Sequence, residues 1–291
     1  MRQCIFCKRY KEEIEFNKEH IILEALGGKG SDDLCFNVCT SCNSMLGARV
    51  DASLLNQKIT EKIRYLYKIK GKNGVPNPFK GIEINYADTP VKGEIKTDKY
   101  GNINGFRAKH QVIKQGEYTL IAGPKKGFEA YVNSQLKKNG LAELPESEIK
   151  KNKIDFGTPK IPYAEKMIFS EEMKNKYLCH AFPAILKMSY EYCFTILGEE
   201  YLQDPLAEEI RVFIMNFDYK MLKKWHVPTY ASLKMNRECD MNRKICLNIY
   251  AVDNKVYVRM NLWGFVESYI CMSEEASRYN VKISNKLELE I

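Results

Sequence analysis

Two cysteine pairs near the N-terminus constrain this 291-residue chain more than any other feature. Both have the spacing C-x-x-C, Cys4 with Cys7 and Cys39 with Cys42, and 31 residues separate the pairs. Each pair can place two thiolates on one ion through a tight knuckle, and two knuckles complete the tetrahedral four-sulfur shell that Zn²⁺ favours. We therefore predict a structural zinc ion. The alternative is four unconnected buried thiols. Two observations disfavour it: both pairs have the spacing of metal ligands, and so short a segment needs a cross-link or a metal ion to be stable.

The remaining cysteines indicate free thiols. The chain has ten cysteines, and five of them lie in the first 42 residues. Cys35 is the unpaired fifth of that group, and we interpret it as a packed thiol and not as a ligand. The others are scattered singly, which in a reducing cytosol is typical of small buried side chains. They are Cys179, Cys193, Cys239, Cys246 and Cys271.

The segment between the two pairs contains a histidine in an apolar run, N-K-E-H-I-I-L-E-A-L-G-G at positions 17–28. It is longer than the roughly 15–20 residues of a plain two-knuckle zinc ribbon. We predict a strand over residues 16–23 that carries Glu19 and His20, followed by a glycine turn, and a helix after the second pair with Asn43 in its first turn. Alone, such a histidine is usually a satisfied polar residue, and Asn43 can simply cap a helix. The flanking cysteine pairs favour a functional site.

Composition and hydropathy indicate a globular protein. The hydrophobic content of 45% can supply a real core. No stretch approaches the roughly 18 uncharged apolar residues of a membrane span, and the N-terminus lacks the apolar centre of a signal peptide. We therefore predict a cytoplasmic location and no membrane partner.

A basic window follows the second cysteine pair. Between Arg49 and Lys80 there are eight basic residues against Asp51 and Glu61, a net charge of +6 in a sequence of net charge +8. A solvated helix face is the usual meaning of such a run, and a phosphate-contacting surface is the alternative. The residues we predict to contact nucleic acid are Arg49, Lys58, Lys62, Arg64 and Lys68.

The pattern of elements predicts an α+β protein in four parts. Residues 1–57 form a small zinc-stabilised core, residues 58–80 a basic helical linker, residues 81–155 an α+β middle region and residues 156–291 an α+β C-terminal domain of unknown role. In the last part, Asp204 followed by Pro205 has the composition of a helix N-terminus.

The order of motifs in about the first 55 residues resembles the HNH endonucleases. It reads C-x-x-C, then E-H-I-I-x-x-A-L-G-G, then C-x-x-C-N-x-x-x-G. It is most similar to the subgroup whose ββα-metal core, a treble-clef-like fold, is clamped by four cysteines. The later stretches P-A-I-L-K-M-S-Y-E-Y and L-G-E-E-Y-L also resemble what accompanies this core in bacterial proteins of the subgroup.

The resemblance implies a mechanism. Family members use the histidine of the D/E-H pair as a general base that activates water, which would be His20, and one divalent ion, usually Mg²⁺ or Mn²⁺. Glu19 and Asn43 match the positions of its ligands. Both offer oxygen, which suits Mg²⁺ better than zinc.

The middle residue of the motif departs from the family pattern. The family asparagine lies about five residues before the second cysteine pair, where this chain has Leu34, and Asn37 lies only two before Cys39. Either Asn37 replaces it through a local shift, or Asp32 or Asp33 takes over its role of tethering the loop.

These observations predict a metal-dependent endonuclease that hydrolyses phosphodiester bonds in DNA, most readily double-stranded DNA, with defence or mobile-element biology as the context. One HNH core cuts one strand, so double-strand cleavage would need a homodimer or two visits. The main alternative is a decayed, non-catalytic DNA-binding or regulatory protein. A third is a nuclease gated by a C-terminal ligand sensor, for which residues beyond 150 carry no nucleotide motif. His110, His180 and His226 are interpreted as structural.

Overall fold

The structure is a computed structural model that describes residues 1–29, 33–86, 89–97, 103–115, 118–151, 171–218, 228–235, 244–280 and 282–290. The chain is a mixture of helices and strands and divides into two compact units. The first unit combines Met1–Pro76 with Lys166–Ile291, and the second unit is Asn77–Glu165. Gly30, Asp32, His226 and Cys239 lie outside the described residues.

The N-terminal part of the first unit is built from short elements, because cysteine knuckles and glycines interrupt every run. Strand β1 pairs with β2, and strand β3 pairs with β4, both antiparallel. Three helices follow, of which α1 and α2 are joined by one wide turn over Gly47–Asp51. The elements are β1 (Arg2–Gln3), β2 (Tyr10–Lys11), β3 (Glu19–His20), β4 (Leu34–Cys35), α1 (Thr40–Leu46), α2 (Ala52–Leu55) and α3 (Lys58–Leu66).

The strand around His20 is shorter than predicted. It spans only Glu19–His20, and the apolar residues after it enter a single 3-10 turn over Glu24–Leu26. Gly27 closes that turn with φ of 113°, a left-handed conformation that glycine adopts without strain. The predicted return of the chain at the glycines is therefore confirmed, and the buried Ile21 and Ile22 fill the core from an irregular segment.

The C-terminal part of the first unit is a helical layer on an antiparallel sheet. The buried helix α6 packs against α2, α7 and the sheet. Asp204 caps α7 by accepting hydrogen bonds from the backbone N–H groups of Leu206 and Ala207, as the Asp-Pro sequence predicts. The sheet has the strand order β10-β13-β12-β11-β14. The elements are α6 (Glu171–Leu197), α7 (Pro205–Asn216), β10 (Ala231–Met235), β11 (Lys244–Val252), β12 (Lys255–Leu262), β13 (Val266–Ser273) and β14 (Ser284–Glu290).

One continuous hydrophobic core joins the two parts of the first unit. It contains residues of the zinc-knuckle segment together with residues of α6, α7 and the sheet, among them Ile5, Phe6, Ile22, Leu54, Phe182, Ile185, Tyr190 and Trp263. The division therefore differs from the four predicted parts, because residues 1–57 do not enclose a core of their own and use the apolar face of α6. Sequence composition reports where apolar residues occur and not which of them pack together.

The second unit is mostly strands. A three-stranded antiparallel sheet of order β5-β6-β7 and the hairpin β8-β9 precede two helices. His110 stacks on Tyr131 of α4 with ring centroids 4.5 Å apart, consistent with a structural histidine. The elements are β5 (Lys80–Tyr86), β6 (Thr89–Thr97), β7 (Ile103–Ala108), β8 (Gln111–Gln115), β9 (Tyr118–Ala122), α4 (Phe128–Lys138) and α5 (Glu146–Lys151).

Among the helices of the described residues, none combines the length and the apolar character that crossing a membrane requires.

Candidate functional site

The four cysteines of the two knuckles converge on one point. Their sulfur atoms all lie within 4.8 Å of one another, and the Sγ atoms of Cys7 and Cys39 are 4.0 Å apart. A tetrahedral zinc ion with Zn–S bonds of about 2.3 Å holds its sulfurs about 3.8 Å apart. The spacing and the all-sulfur donor set therefore fit zinc. In the part of the chain that the structure describes, no other group of at least three histidine, cysteine or acidic side chains is close enough to hold an ion.

Backbone hydrogen bonds shape each knuckle. The N–H of Cys4 donates to the carbonyl of Arg9, and the N–H of Lys8 donates to the carbonyl of Cys4, which closes the first turn. The N–H of Cys39 donates to the sulfur of Cys4 at 3.4 Å. The hydrogen bond between Cys42 and Cys4 lowers the pKa of Cys4 to about 4 and raises the pKa of Cys42, so Cys4 is the thiolate of this pair and Cys42 the thiol that donates to it.

Cys35 stays outside this cluster, as predicted. Its thiol is buried, 2% exposed, on β4. Burial raises the pKa of Cys35 to about 12, which keeps it a neutral thiol and a poor metal ligand.

His20 is held by Asp33. The Nδ1 atom of His20 lies 2.9 Å from Oδ1 of Asp33, whose side chain is 3% exposed, whereas the His20 side chain is 28% exposed. Backbone pairing brings the two together, because Asp33 immediately precedes β4 and its carbonyl accepts a 2.6 Å hydrogen bond from the N–H of Ile21. A carboxylate at Nδ1 fixes the proton there, which leaves Nε2 as a hydrogen-bond acceptor.

Gly28 makes this approach possible. A Cβ atom at this position would lie 1.7 Å from the carbonyl oxygen of Ile22 and 2.9 Å from Oδ2 of Asp33. Any side chain would therefore push the loop away from the strand and from the carboxylate that holds His20. Close packing therefore explains why the second residue of the G-G pair is a glycine.

Asn37 does not reach His20. Its carboxamide nitrogen lies 3.5 Å from the carbonyl of Gln3, and its own carbonyl accepts from the N–H of Ile5. Asn37 thus fastens the second knuckle to the first. The sequence leaves two alternatives open, Asn37 or one of the two aspartates. The side chain that contacts His20 in the structure is Asp33.

Glu19 is buried, 8% exposed, and contacts a residue of helix α6. Its Oε1 atom lies 2.8 Å from Nζ of Lys187, which belongs to α6 and is fully buried. The same ammonium group lies 3.3 Å from Oδ2 of Asp51 and 3.4 Å from Oε1 of Glu191. Three carboxylates therefore surround one lysine, and we call Glu19, Asp51, Lys187 and Glu191 the buried charge cluster.

The charges of this cluster are unequal. Burial raises the pKa of Glu191 well above its ordinary value, with Glu19 and Asp51 adding to the effect and Lys187 opposing it. Burial likewise raises the pKa of Asp51. Burial alone would lower the pKa of Lys187, but the three carboxylates, Glu191 foremost, raise it. The lysine is therefore charged, and Glu191 and Asp51 retain a proton more readily than free carboxylates do.

Asn43 lies in α1, next to Cys42. Its N–H donates to the carbonyl of Cys39 as part of the helix, and its side chain is half-buried. Its carboxamide makes no hydrogen bond with the described residues, so both its oxygen and its nitrogen are available for an external partner.

The basic window is only partly a surface. Lys58 and Lys68 are exposed, with Lys58 bonded to Glu61 at 2.7 Å and the ammonium of Lys68 4.3 Å from the ring centroid of Tyr65. Lys62 is half-buried.

The two arginines that we predicted to contact nucleic acid contact other parts of the protein instead. Arg49 donates to the carbonyl of Phe217 at 2.5 Å. Arg64 is 8% exposed because its guanidinium packs beside Gly71. The predicted contact surface is thereby corrected to its lysines, since alternation of charged and apolar residues along a helix does not reveal which long side chains fold inward.

Sequence reasoning missed Lys187, Glu191 and Asp51. The available signal was charge in an apolar context: Lys187 and Glu191 are one helical turn apart in P-A-I-L-K-M-S-Y-E-Y, where every residue from Ala181 to Phe194 is buried. A lysine and a glutamate four residues apart in such a helix need partners from another element.

A four-cysteine cluster that could hold a metal ion and a histidine–aspartate pair lie together in one short segment. Residues 4–59 match the family model of the HNH endonucleases. The match confirms that this segment resembles the HNH endonucleases, and it implies nucleic acid as the substrate. Searches of the curated proteins and of the solved structures gave no match.

Proposed function

We propose that the chain is a metal-dependent endonuclease that hydrolyses phosphodiester bonds in DNA, with His20 as the general base. The observation that carries the proposal is the His20–Asp33 contact inside a segment that matches HNH endonucleases. In the proposed ββα-metal core, β3 carries the base, β4 and Asp33 orient it, and α1 contributes Asn43. The zinc ion holds the core together and takes no part in the reaction.

The chain's own residues supply the proton chemistry. Nε2 of His20 takes a proton from the attacking water, while Asp33 keeps the ring oriented and stabilises the imidazolium that forms. General base catalysis of this kind contributes about 10²–10⁴-fold to a rate.

The proposed ligands of the divalent ion are Glu19 and Asn43. Glu19 uses one carboxylate oxygen for Lys187, and its Oε2 accepts no hydrogen bond from the described residues. The carboxamide oxygen of Asn43 is likewise uncommitted to them. A carboxylate and an amide oxygen suit Mg²⁺ or Mn²⁺, which would stabilise charge on the scissile phosphate and the leaving oxygen.

Double-stranded DNA is the proposed substrate, gripped through the lysines of α3 and the turn after it, Lys58, Lys62 and Lys68. Their ammonium groups can contact phosphates without reading sequence. A homodimer is proposed for cleavage of both strands. A bacterial cytoplasmic setting in defence or mobile-element biology completes the proposal.

Incubation of the zinc-loaded protein with supercoiled plasmid and Mg²⁺ or Mn²⁺ tests the function. We expect nicked circles from the wild type and a loss of at least about 100-fold in rate for His20→Ala. His110→Ala is the matched control, because that ring stacks on Tyr131 in the second unit, and it should cut at the wild-type rate.

Two results would contradict this proposal. Undiminished nicking by a clean His20→Ala preparation would mean that the base lies elsewhere. A folded, zinc-bound wild type that binds DNA but leaves the plasmid intact would favour the alternative of a decayed DNA-binding protein.

A further inference from the structure

The buried charge cluster connects the candidate nuclease strand with helix α6, 168 residues further along the chain. Lys187 is fully buried, and Glu19 directly precedes His20 in β3. We infer that Lys187 is a positioning residue of the nuclease site: it holds Glu19 by one carboxylate oxygen so that the other oxygen is kept ready for the divalent ion. The inference rests on the proposed function.

The geometry argues against a purely structural ion pair. Glu191 lies one helical turn from Lys187 and could neutralise it within α6, yet the shortest contact of the ammonium is to Glu19, at 2.8 Å against 3.4 Å for Glu191. The lysine therefore reaches out of its own helix toward the nuclease strand. Burying an ammonium group is costly unless it is paired and hydrogen-bonded, so this orientation needs a compensating environment.

Glu191 and Asp51 provide that environment. Among the described residues, both oxygens of Glu191 and the Oδ1 atom of Asp51 are buried without a hydrogen-bond partner, whereas Oδ2 of Asp51 accepts a 3.3 Å hydrogen bond from Lys187. The two side chains surround the ammonium with acceptor oxygens at longer distances, which leaves its shortest hydrogen bond, 2.8 Å, for Glu19. Ligating carboxylates are commonly oriented by such outer partners, and loss of the partner typically weakens metal affinity about 10–100-fold.

A pair of variants that differ only at Lys187 tests the inference. Lys187→Met alone would leave three buried carboxylates uncompensated, so the test variant is Lys187→Met with Asp51→Asn and Glu191→Gln. Its matched control is Asp51→Asn with Glu191→Gln, which keeps Lys187 and Glu19. Mn²⁺ binding to the zinc-loaded full chain is measured by electron paramagnetic resonance. We expect the triple variant to bind Mn²⁺ about 10–100-fold more weakly than the double variant.

Plasmid nicking provides a second readout. The Mn²⁺ concentration for half-maximal nicking should rise by the same factor in the triple variant, with the rate recovered at saturating Mn²⁺. A merely structural lysine would lower the melting temperature and leave the Mn²⁺ dependence unchanged. Should the triple variant fail to fold, Lys187→Gln is the second variant, because a neutral amide can still donate to Glu19, and we expect it to weaken Mn²⁺ binding to an intermediate degree.

The role of Lys187 would be overturned if the folded triple variant bound Mn²⁺ as tightly as the double variant. A wild type that binds no Mn²⁺ would overturn it as well. Failure of the nuclease proposal has a different signature: the wild type and the double variant bind Mn²⁺ but leave the plasmid intact. The comparison of Mn²⁺ affinities then still decides for or against Lys187.

Discussion

At the scale of single residues, the candidate site depends on which side chain orients His20. Asp33 does so through a 2.9 Å contact to Nδ1, from a buried position that Gly28 leaves open. A carboxylate both fixes the imidazole tautomer and stabilises its protonated form, whereas an amide does neither reliably. The aspartate is therefore well suited to hold a general base.

Asp33→Asn is the sharpest residue-level test of this arrangement. The amide preserves the volume, but it can donate to Nδ1 and so place the imidazole proton on Nε2, where it blocks the base. We expect nicking to fall by at least about 100-fold while zinc content and melting temperature stay close to the wild-type values. The measurement is the nicking rate at saturating Mn²⁺.

The control for that variant is Asp253→Asn. Asp253 is an exposed turn residue between β11 and β12 with φ of 50°, a conformation that asparagine tolerates. It should cut normally. Wild-type activity of Asp33→Asn would show that the observed contact does not orient a catalytic base.

At the scale of elements, the zinc knuckles substitute for secondary structure. Strands β1 to β4 have two residues each, too few to stabilise a sheet, and they lie between the two cysteine pairs or beside them. A metal ion bound by Cys4, Cys7, Cys39 and Cys42 would fix the distance between the ends of the segment. The His20–Asp33 contact lies within the loop that such an ion would close.

Metal analysis checks this role. We expect about one zinc per chain. The variants Cys4→Ser and Cys39→Ser should bind no zinc, and their first unit should no longer show a cooperative unfolding transition, because binding energy at a structural zinc site is folding energy. Circular dichroism melts and elemental analysis give both quantities.

Cys246→Ser is the control, since that half-exposed thiol lies on the sheet and outside the cluster. It should keep its zinc. A wild type that folds without any metal would refute the zinc assignment.

At the scale of the whole molecule, the nuclease segment and the C-terminal helices form one unit. Several hydrogen bonds also reach across, in addition to the buried charge cluster and the shared core. The Tyr190 hydroxyl donates to the carbonyl of Ile5, the Lys8 ammonium to that of Leu202, the Arg211 guanidinium to that of Phe6, and the Ser53 hydroxyl to that of His180. Helix α6 thereby completes the interior of the N-terminal segment.

A truncation test follows. Residues 1–76 alone should bind zinc poorly and unfold without cooperativity, because the apolar side chains that face α6 would be exposed to water. Replacement of residues 77–165 by a Gly/Ser linker of about 20 residues, a flexible coil, should instead preserve the first unit. Melting curves and zinc content distinguish the two chains. A stably folded 1–76 fragment would show that α6 is dispensable.

The local chemistry of the sequence predicted a substantial share of this structure. The C-x-x-C pairs predicted the sulfur cluster, the glycines at 27 and 28 the turn, and Asp204 with Pro205 the start of α7. Each of these three features depends on residues within a few positions of one another. The cysteine pairs depend in addition on a ligand geometry that only a few spacings satisfy. Such constraints can be read without knowing the fold.

Tertiary structure decided the rest. The choice of Asp33 over Asn37 depends on the register of β3 against β4, and the partner of Glu19 comes from a helix that follows 150 residues later. Arg64 is buried with its guanidinium beside Gly71, which lies beyond the end of its own helix. Buried charges are paired wherever long-range packing brings an opposite charge, because desolvation makes an unpaired one too costly. The sequence by itself determined the clustered cysteines and the histidine. Long-range packing determined which side chains contact the histidine and its neighbour Glu19.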